Sequence, residues 1–534
     1  MLRVTDVHIP LEADEQALRQ QTARLLALDA GAITSLSLVR RAVDARRGQV
    51  RFSCTVDAAL SVDEAAVARR CGGRVSFVES EPDKPIVPKG PLLSHRPVVV
   101  GAGPAGLFAA LRLARYGYRP LVLERGPAVN DRARAIGEFF ASGALDTEAN
   151  VAFGEGGAGA WSDGKLTTRI RDPLCREALE IMVSAGAPRD ILTDAHPHIG
   201  TDLLRTLVTA LRAAIESAGG VFRFSTRMER VVVRAGRLAG VVLPGGEELM
   251  ADAAILAIGH SARDTLEALA DAGIALVPKP FAVGLRAEHP QALVDRARYG
   301  RYAGHRLLGA ADYSVRTRVD GRSAYSFCMC PGGVVVNASS EEGRLCVNGM
   351  SNRARDGANA NAALICAVNP EDWGGSGPLA GVAFQRGLES AAFAAGGGAY
   401  RAPAQRVADF LEGRPSRGFG DVAPTVLPGA VPCDLAPVLP GFVTHTLRRA
   451  LRAFEEQLPG FLLPDAVLTA VETRSSSPVR IVRDESGQSV SAEGLYPAGE
   501  GAGYAGGILS AAVDGMRAAE RLMSSRRPPR GNAD

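Results

Sequence analysis

The sequence of 534 residues predicts an α/β fold, and three stretches support this prediction. Between Pro97 and Gly126, two short apolar runs flank a segment with apolar residues at helical spacing, which indicates a βαβ unit. Between Gly494 and Met516, we expect a short strand, a glycine-rich turn and a helix. From about Asp271 the pattern changes to strands of a separate sheet, which indicates an inserted domain.

The first turn carries the spacing G-x-G-x-x-G. Gly101 allows the tight turn, Gly103 lets the backbone approach a pyrophosphate, and Gly106 lets helix and strand pack closely. The phosphates would lie at the helix N-terminus, whose free N–H groups favour negative charge. Glu124 ends the second strand, where a carboxylate usually accepts hydrogen bonds from ribose hydroxyls. This order predicts a Rossmann-like domain that binds an adenine dinucleotide, rather than a plain glycine-rich turn.

The last stretch favours FAD as that dinucleotide. Glu500 ends a short strand, and a helix is expected to begin near Gly507. In FAD proteins of the glutathione-reductase type, an acid in this position holds the ribityl chain, and the next helix points its N-terminus at the flavin pyrimidine. The positive end of that helix would stabilise the anion of the reduced flavin.

Five segments together resemble bacterial and plastid FAD-dependent dehydrogenases of the glutathione-reductase-like superfamily. They are Gly101–Leu107, Asn150–Arg169, Ala254–Thr265, Val471–Ile481 and Gly499–Gly515. The similarity covers nearly the whole chain, including the N-terminal domain. The resemblance implies an FAD-dependent oxidoreductase and leaves its substrate open.

Composition is typical of a globular enzyme: 46% of residues are hydrophobic and 22% are charged. A net charge of +3 argues against a polyanionic partner. The eight cysteines include no C-x-x-C pair, and His196 and His198 have no partners at metal-ligand spacing, so we expect a reducing compartment and no metal. No signal peptide or apolar window of about 18 residues is found, so we expect a cytoplasmic protein without a membrane span.

The sequence predicts five parts: a ferredoxin-like α+β domain (1–80), a proline-rich linker (81–97), an FAD domain (98–270 plus 465–522), an inserted mixed-sheet substrate domain (271–464) and a disordered tail (523–534). Ferredoxin-like units bind RNA through strand aromatics, but the third strand offers only Phe52. We therefore favour docking or assembly for the first domain and expect no nucleic acid. Its arginines are interpreted as solvated: Arg40, Arg41, Arg46, Arg47 and Arg51.

The residues expected to bind FAD lie in the glycine motif, after the second strand, in the loop 154–166, after the strand ending near 258, and in the last turn. The loop 154–166 is glycine-rich, which suits contact with a flat ring, although a flexible surface loop is the alternative. The expected residues are Gly101, Gly103, Pro104, Ala105, Gly106, Glu124, Arg125, Arg132, Gly156, Gly157, Ser162, Asp163, Gly164, Lys165, Gly259, Glu500, Gly506, Gly507 and Ile508. Arg132 and Arg134 face either the pyrophosphate or solvent.

Four residues are candidates for catalysis: Lys165, His260, Arg474 and Tyr504. Lys165 would place a cation near N5 or O4 of the flavin, where it favours the reduced ring. His260 is either a local hydrogen-bonding residue or a base. Arg474, like Arg480, either clamps a substrate carboxylate, as the corresponding arginine does in amine and amino-acid oxidases of similar layout, or forms an interdomain ion pair.

Cys328 and Cys330 are predicted to lie on one face of a strand, with Cα atoms roughly 6.5 to 7 Å apart. This separation is at the outer edge of disulfide geometry. Two buried core thiols are therefore favoured, and a redox pair is the alternative.

The favoured function is that of an FAD-dependent oxidoreductase, a dehydrogenase that moves a hydride between a small organic substrate and flavin N5. Cys175 stands alone where related disulfide reductases carry two cysteines, and Gly499-Glu500-Gly501 replaces the Gly-Asp typical of aromatic hydroxylases. No second complete nucleotide motif is present, which leaves only transient binding of NAD(P)H. A flavin-dependent monooxygenase or oxidase, a flavoprotein acting on nucleic acid and a non-catalytic flavin-binding module remain alternatives. The sequence leaves the oligomeric state open.

Overall fold

The computed structural model describes residues 1–78 and 85–530. The chain starts with a unit of four strands and two helices. They are β1 (Leu2–Ile9), α1 (Glu15–Leu26), β2 (Ile33–Asp44), β3 (Arg51–Leu60), α2 (Glu64–Cys71) and β4 (Val75–Phe77). The antiparallel sheet has the order β2-β3-β1-β4. Phe52 is buried and the Arg41 guanidinium lies over its ring, so this aromatic presents no open face for stacking a base.

The first unit is joined to the next through the edge of β2. The backbone N–H of Arg41 donates to the Thr193 carbonyl at 2.7 Å, and the N–H of Ala195 donates back to the Arg41 carbonyl at 2.9 Å. This pairing connects β2 to the loop that carries His196 and His198. Docking or assembly stays a prediction for this unit.

The second unit contains the predicted βαβ motif and its partners. Its elements up to residue 271 are β5 (Val98–Val100), α3 (Pro104–Arg115), β6 (Leu121–Leu123), α4 (Val129–Ser142), α5 (Leu174–Ser184), α6 (Thr201–Ser217), β7 (Val221–Arg223), β8 (Arg230–Arg234), β9 (Arg237–Val242), β10 (Glu248–Met250), β11 (Ala254–Leu256) and α7 (Arg263–Asp271). Strands β8 to β10 form a separate antiparallel sheet.

The third unit is built around a mixed sheet. Its elements are β12 (Leu276–Pro278), β13 (Phe281–Pro290), α8 (Gln291–Tyr299), β14 (Arg316–Val319), β15 (Arg322–Cys330), β16 (Val334–Asn337), β17 (Val347–Met350), β18 (Asn359–Val368), α9 (Ala380–Ala395), β19 (Ala402–Arg406), α10 (Val407–Glu412), β20 (Ala430–Pro432), α11 (Gly441–Gln457) and β21 (Val467–Glu472). Seven of these strands pair in the order β14-β15-β18-β13-β21-β19-β20. Only β19 and β20 run parallel within this sheet.

The chain then returns to the second unit through β22 (Val479–Ile481), β23 (Leu495–Pro497) and α12 (Ile508–Ser525). The completed parallel sheet has the order β23-β11-β5-β6-β7, so the last strand of the chain joins the sheet begun by β5. Helices α3 and α12 pack together on one face of this sheet, within a core of alanine, leucine and valine side chains. The predicted α/β class, the Rossmann-like sheet and the mixed second sheet are confirmed.

Two predicted boundaries differ from the structure. Strand β21, expected in the FAD domain, lies in the middle of the seven-stranded sheet because β13 and β19 pair with it on either side. The tail was predicted to be disordered from residue 523, which is wrong for residues 523–530: Met523 is buried in α12, and Arg527 pairs with Leu92. Apart from that bridge, residues 85–97 of the predicted linker form neither helix nor strand, as expected for a linker. The rest of the predicted linker (81–84) and the end of the predicted tail (531–534) lie outside the described residues. Within the described residues, no helix is long and apolar enough to span a membrane.

Candidate functional site

One cavity of about 2220 Å³ lies at the carboxyl ends of the parallel strands, between this sheet and the seven-stranded sheet. Ligands of open α/β sheets bind at this edge. Gly103 and Gly507, from the two ends of the chain, both line the cavity. Its volume exceeds the 300–1000 Å³ or so of an ordinary small-molecule pocket, so it has room for a dinucleotide and a second ligand.

The three motif glycines have three different surroundings. Gly101 has a φ of +101°, and a Cβ there would lie 2.3 Å from the Ala257 carbonyl oxygen. A Cβ on Gly106 would lie 1.8 Å from the Gly101 carbonyl oxygen, so helix α3 can approach β5 only because this residue is glycine. A Cβ on Gly103 would meet no protein atom closer than 3.8 Å and would occupy the cavity instead. This space, in front of the first turn of α3, fits the diphosphate of a dinucleotide.

Glu124 follows β6 at the wall of the cavity and is 4% exposed. Its carboxylate accepts hydrogen bonds from the backbone N–H groups of Ala102, Gly126 and Gly154, at 2.7, 3.0 and 2.9 Å. These bonds join the glycine motif to the loop around residue 154. A carboxylate has about four acceptor positions, so one remains for the predicted ribose contact.

Arg132 is fully buried and does not line the cavity, so the expectation that it faces the pyrophosphate or solvent is wrong. Its guanidinium donates to four carbonyl oxygens, those of Asn150, Val151, Gly154 and Glu155. It also lies over the Trp161 ring, 4.1 Å from the centroid. Arg132 therefore holds the loop between α4 and the cavity in shape. Arg134 is exposed and pairs with Asp131.

Arg125 reaches the cavity wall but is already paired with two carboxylates. Its guanidinium contacts Glu148 at 2.8 Å and Asp264 at 2.9 Å, and it lies 3.8 Å from the centroid of the Phe153 ring. These contacts leave Arg125 as part of the wall rather than as a free cation.

The two neighbouring glycines of the loop 154–166 separate in the structure. Gly157 lines the cavity, and a Cβ there would lie 3.0 Å from the Gly103 Cα, so the loop packs directly on the glycine motif. Gly156 faces the core instead, where a Cβ would lie 2.8 Å from the Ala160 side chain, and it does not line the cavity. The prediction that Gly156 contacts the cofactor is therefore wrong, because this residue faces the core.

Residues 162–165 line the cavity as a group. Asp163 is buried, pairs with Arg355 and accepts a hydrogen bond from Ser351. Burial alone would raise the pKa of Asp163, but Arg355 and Lys165 outweigh burial and hold this pKa below its usual value. Among the described residues, the Lys165 ammonium has no hydrogen-bond partner. It is therefore a cation that a ligand can approach.

The last turn carries Glu500, Gly506, Gly507 and Ile508 to the cavity, and α12 begins at Ile508. Gly259 and His260 line the same wall. The His260 Nδ1 lies 3.6 Å from a Glu500 carboxylate oxygen. The predicted FAD segment after β11 and the last turn are thus adjacent at one site.

Tyr504 lines the cavity, but its hydroxyl is occupied. The hydroxyl donates to the Ile481 carbonyl and accepts from the Arg483 N–H, both at 3.1 Å. The Tyr504 ring lies against the Arg480 and Arg483 guanidinium groups, 5.1 and 3.7 Å from its centroid. Tyr504 is held as a structural part of the wall, and it offers no free proton donor to a substrate.

Arg474 forms the interdomain ion pair that the sequence left as an alternative. Its guanidinium contacts both carboxylate oxygens of Glu389, at 3.0 and 2.9 Å, and also donates to Ser340. Glu389 is fully buried and also binds Arg263 at 2.8 Å. Although burial opposes it, these two arginines lower the pKa of Glu389 well below its usual value. The predicted carboxylate clamp is wrong, because the protein supplies the carboxylate.

Cys330 is fully buried, as predicted, but Cys328 is only partly buried and lines the cavity. Sequence reasoning also missed Arg286, which is fully buried on β13 and pairs with Glu472 at 3.2 Å. The sequence does hold a signal for this residue: Arg286 interrupts the apolar run that starts β13, and an arginine is rarely buried unless it is paired.

The cavity mouth carries four exposed arginines that the sequence analysis did not single out, Arg169, Arg171, Arg316 and Arg318. Within residues 1–78 and 85–530, their guanidinium groups have no hydrogen-bond or ion-pair partner. The neighbouring Ile170 and Phe327 are 43% and 42% exposed. We call these four cations the mouth arginines. The described residues contain no cluster of three or more metal-ligating side chains.

Three parts of the chain match known families. Residues 280–475 match the model of the FAD-dependent protein, C-terminal domain-like family, residues 99–149 match an NAD(P)-binding Rossmann-like domain, and residues 1–59 match a domain of unknown function. An uncharacterized protein of Clostridium beijerinckii is 44% identical over 525 residues, which cover 98% of each chain. Solved structures with lower similarity include a geranylgeranyl bacteriochlorophyll reductase-like protein from Thermoplasma acidophilum (12% identity, 80% of each chain, TM-score 0.34). Another is CtdE in complex with FAD (13% identity, 79% of this chain and 82% of that chain, TM-score 0.28).

Proposed function

This chain belongs to the family of the Clostridium beijerinckii protein and carries the C-terminal domain of FAD-dependent proteins, and we propose that it is an oxidoreductase that moves a hydride between a small organic substrate and flavin N5. FAD is the cofactor. Placement in the glutathione-reductase-like superfamily is part of the proposal. So is a ferredoxin-like N-terminal unit, which the strand order β2-β3-β1-β4 supports.

The observation that carries the proposal is the meeting of two helix N-termini at one cavity. Helix α3 begins behind Gly103 and helix α12 begins behind Gly507, and both glycines line the cavity. Each terminus presents unpaired N–H groups and a partial positive charge. One therefore suits a diphosphate, and the other suits the anionic edge of a reduced ring.

FAD supplies the two-electron chemistry, and the chain supplies binding, orientation and charge. Gly103 and Gly157 leave room for the cofactor, and Glu124 fixes the backbone of both glycine loops. Lys165 places a cation on the cavity wall. His260 and Glu500 place an imidazole and a carboxylate beside the last turn.

The mouth arginines favour a substrate with negative charge. Five carboxylates that line the cavity already have a cationic partner within the protein: Asp163, Asp172, Asp312, Glu472 and Asp514. Of the other two, Glu124 accepts from backbone N–H groups and Glu500 lies 3.6 Å from His260, and both lie at the expected cofactor segments. The uncompensated charge at the mouth is therefore positive, and a carboxylate or phosphate would be attracted to it. Ile170 and Phe327 add apolar contact area beside this charge.

The test is reduction of the bound flavin by candidate substrates. We expect anionic metabolites to bleach the flavin absorbance under anaerobic conditions, and neutral analogues to bleach it more slowly. A photoreduced protein is then mixed with oxygen or with NAD(P)⁺ to identify the acceptor. Rapid reaction with oxygen would favour an oxidase or monooxygenase, and a flavin that never cycles would rule out an enzymatic role.

A further inference from the structure

The carboxyl end of β15 carries an irregularity at the cavity wall. Its pairing with β18 shifts between Phe327 and Cys330, so an extra residue is accommodated there as a β-bulge. Cys328 has a φ of +43°, a left-handed conformation that non-glycine residues rarely adopt. Such strain often occurs at functional sites. The bulge leaves Cys328 on the cavity wall and Cys330 in the protein behind it.

The bulge also brings the Cys330 thiol against the backbone of Cys328. The Cys330 thiol donates a hydrogen bond to the Cys328 carbonyl oxygen at 3.4 Å. Arg286 approaches from β13: its Nη2 donates to the Cys328 carbonyl at 2.5 Å and lies 3.5 Å from the Cys330 Sγ. The pair is thus enclosed on one side by a buried cation and open to the cavity on the other.

The charges around the pair favour ionisation of the outer thiol. The adjacent Cys330 thiol lowers the pKa of Cys328, burial opposes this effect, and Lys165 and Arg286 lower the pKa further. Asp163 acts in the opposite direction. Glu472 and Tyr313 face the same pair. Burial raises the pKa of Glu472 to about 7, and burial also raises the pKa of Tyr313. Because a thiolate is the reactive form of cysteine, Cys328 is the nucleophilic member and Cys330 the protonated one.

We propose that Cys328 and Cys330 form a redox-active dithiol that exchanges an electron pair with the flavin in the same cavity. The inference rests on the proposed function, since it requires a bound flavin that cycles. Oxidation of the pair removes two thiol protons and forms one S–S bond. The two electrons and two protons reduce one oxidised FAD to FADH₂, and the reverse step restores both thiols. Cys328 is the sulfur that faces an incoming ligand.

The first test counts electrons in the holoenzyme. Purified, air-oxidised protein is titrated with dithionite under anaerobic conditions while flavin absorbance is followed. We expect the wild type to take up four electrons per FAD, and Cys328→Ser and Cys330→Ser to take up two. Cys175→Ser removes a partly buried thiol outside the cavity and should still take up four. Uptake of two electrons by the wild type would overturn the proposal.

The second test needs no variant, which matters because Cys330 is buried. Oxidised and reduced wild-type samples are alkylated, digested and analysed by mass spectrometry. A bond between Cys328 and Cys330 that is present only in the oxidised sample supports the proposal, and two free thiols in both samples overturn it. If a substrate bleaches the flavin but the wild type takes up only two electrons, the dithiol proposal is overturned and the proposed function stands. Four-electron uptake without bleaching by any substrate would support the dithiol and count against hydride transfer from a small molecule.

Discussion

Gly515 of α12 packs so closely on Ala105 of α3 that a Cβ at position 515 would lie 2.0 Å from the Ala105 carbonyl oxygen. Ala105 follows directly on the phosphate turn, and Gly515 lies two turns into the last helix. The two helices whose N-termini face the cavity are therefore set against each other by direct contact near Ala105. The sites expected for the diphosphate and for the flavin ring depend on this contact.

Replacing Gly515 with valine should displace α12 from α3. The overlap is with backbone, which cannot move aside as a side chain would, so we expect a loss of about 1–3 kcal/mol in the free energy of unfolding. FAD should also dissociate faster, which flavin fluorescence after dilution measures. Gly137→Ala is the control, because this exposed glycine in α4 has no atom within 4 Å of a Cβ. Equal melting temperatures for Gly515→Val and the wild type would contradict the close packing.

Gly103 and Gly106 should respond differently to the same substitution. Gly103→Val places its side chain in the cavity, so the apoprotein should melt like the wild type while FAD affinity falls by at least about tenfold, or 1.4 kcal/mol. Gly106→Val meets the Gly101 carbonyl and should destabilise the apoprotein itself. Calorimetry of the apoproteins and equilibrium FAD titration separate the two effects. Normal flavin content in Gly103→Val would contradict the placement of the diphosphate.

The phosphate turn was predictable because its constraints are local. Gly101, Gly106 and Glu124 act on backbone within one βαβ unit, and sequence spacing encodes such relationships directly. The return of the chain at β23 was also predictable, because its acid and glycine-rich turn have a fixed order. In contrast, the place of β21 in the second sheet depends on its partners β13 and β19, which are remote in sequence.

The roles of individual side chains were harder to predict, because they depend on partners from other units. Arg474 pairs with Glu389, and the Tyr504 hydroxyl bonds to the backbone of Ile481 and Arg483. No sequence pattern around Arg474 or Tyr504 indicates these partners. The bulge at Cys328 likewise has no local signature, since a regular strand and a bulged strand share the same alternation of residues. Sequence therefore indicated which segments meet at the cavity, but not which of their side chains remain free.

Arg132 should be essential for the loop at residues 150–155 although it never reaches the cavity. Arg132→Met removes donors from four buried carbonyl groups, so we expect a loss of at least about 2 kcal/mol in stability and weaker FAD binding. Arg134→Met, two residues along the same helix, breaks only an exposed pair and should cost less than about 1 kcal/mol. Thermal unfolding of both variants checks the difference. Similar melting temperatures would show that the loop holds its shape without Arg132.

The mouth arginines should act on substrate capture and not on the chemical step. Arg171→Gln combined with Arg318→Gln should raise KM for an anionic substrate about fivefold or more, leave kcat nearly unchanged and weaken the dependence of kcat/KM on ionic strength. Arg176→Gln is the control, since this exposed arginine pairs with Glu180 and does not line the cavity. If KM and the salt dependence of kcat/KM are both unchanged, the mouth arginines do not take part in substrate recognition.

The pair formed by His196 and Asp312 should make stability depend on pH. The two side chains join the loop before α6 to the inserted domain, with Nδ1 and the carboxylate 3.0 Å apart. The hydrogen bond that His196 donates to Asp312 raises the pKa of His196 above its usual value of 6.5, while burial and Arg40 oppose this effect. Although burial opposes it, His196 lowers the pKa of Asp312 to about 2.

Because the pKa of His196 is higher in the folded than in the unfolded state, this residue stabilises the folded state. Its contribution is fully present below the unfolded-state pKa of 6.5 and is lost as the pH rises through the folded-state pKa. A lowered aspartate pKa contributes above the unfolded value of 3.8 and is lost as pH falls towards 2. Asp312→Asn should therefore lower the melting temperature most between about pH 4 and 6.5, and less at pH 9. Asp320→Asn, in an exposed pair with His445, should have a smaller effect. A deficit for Asp312→Asn that stays constant from pH 5 to 9 would assign its effect to packing rather than to this ion pair.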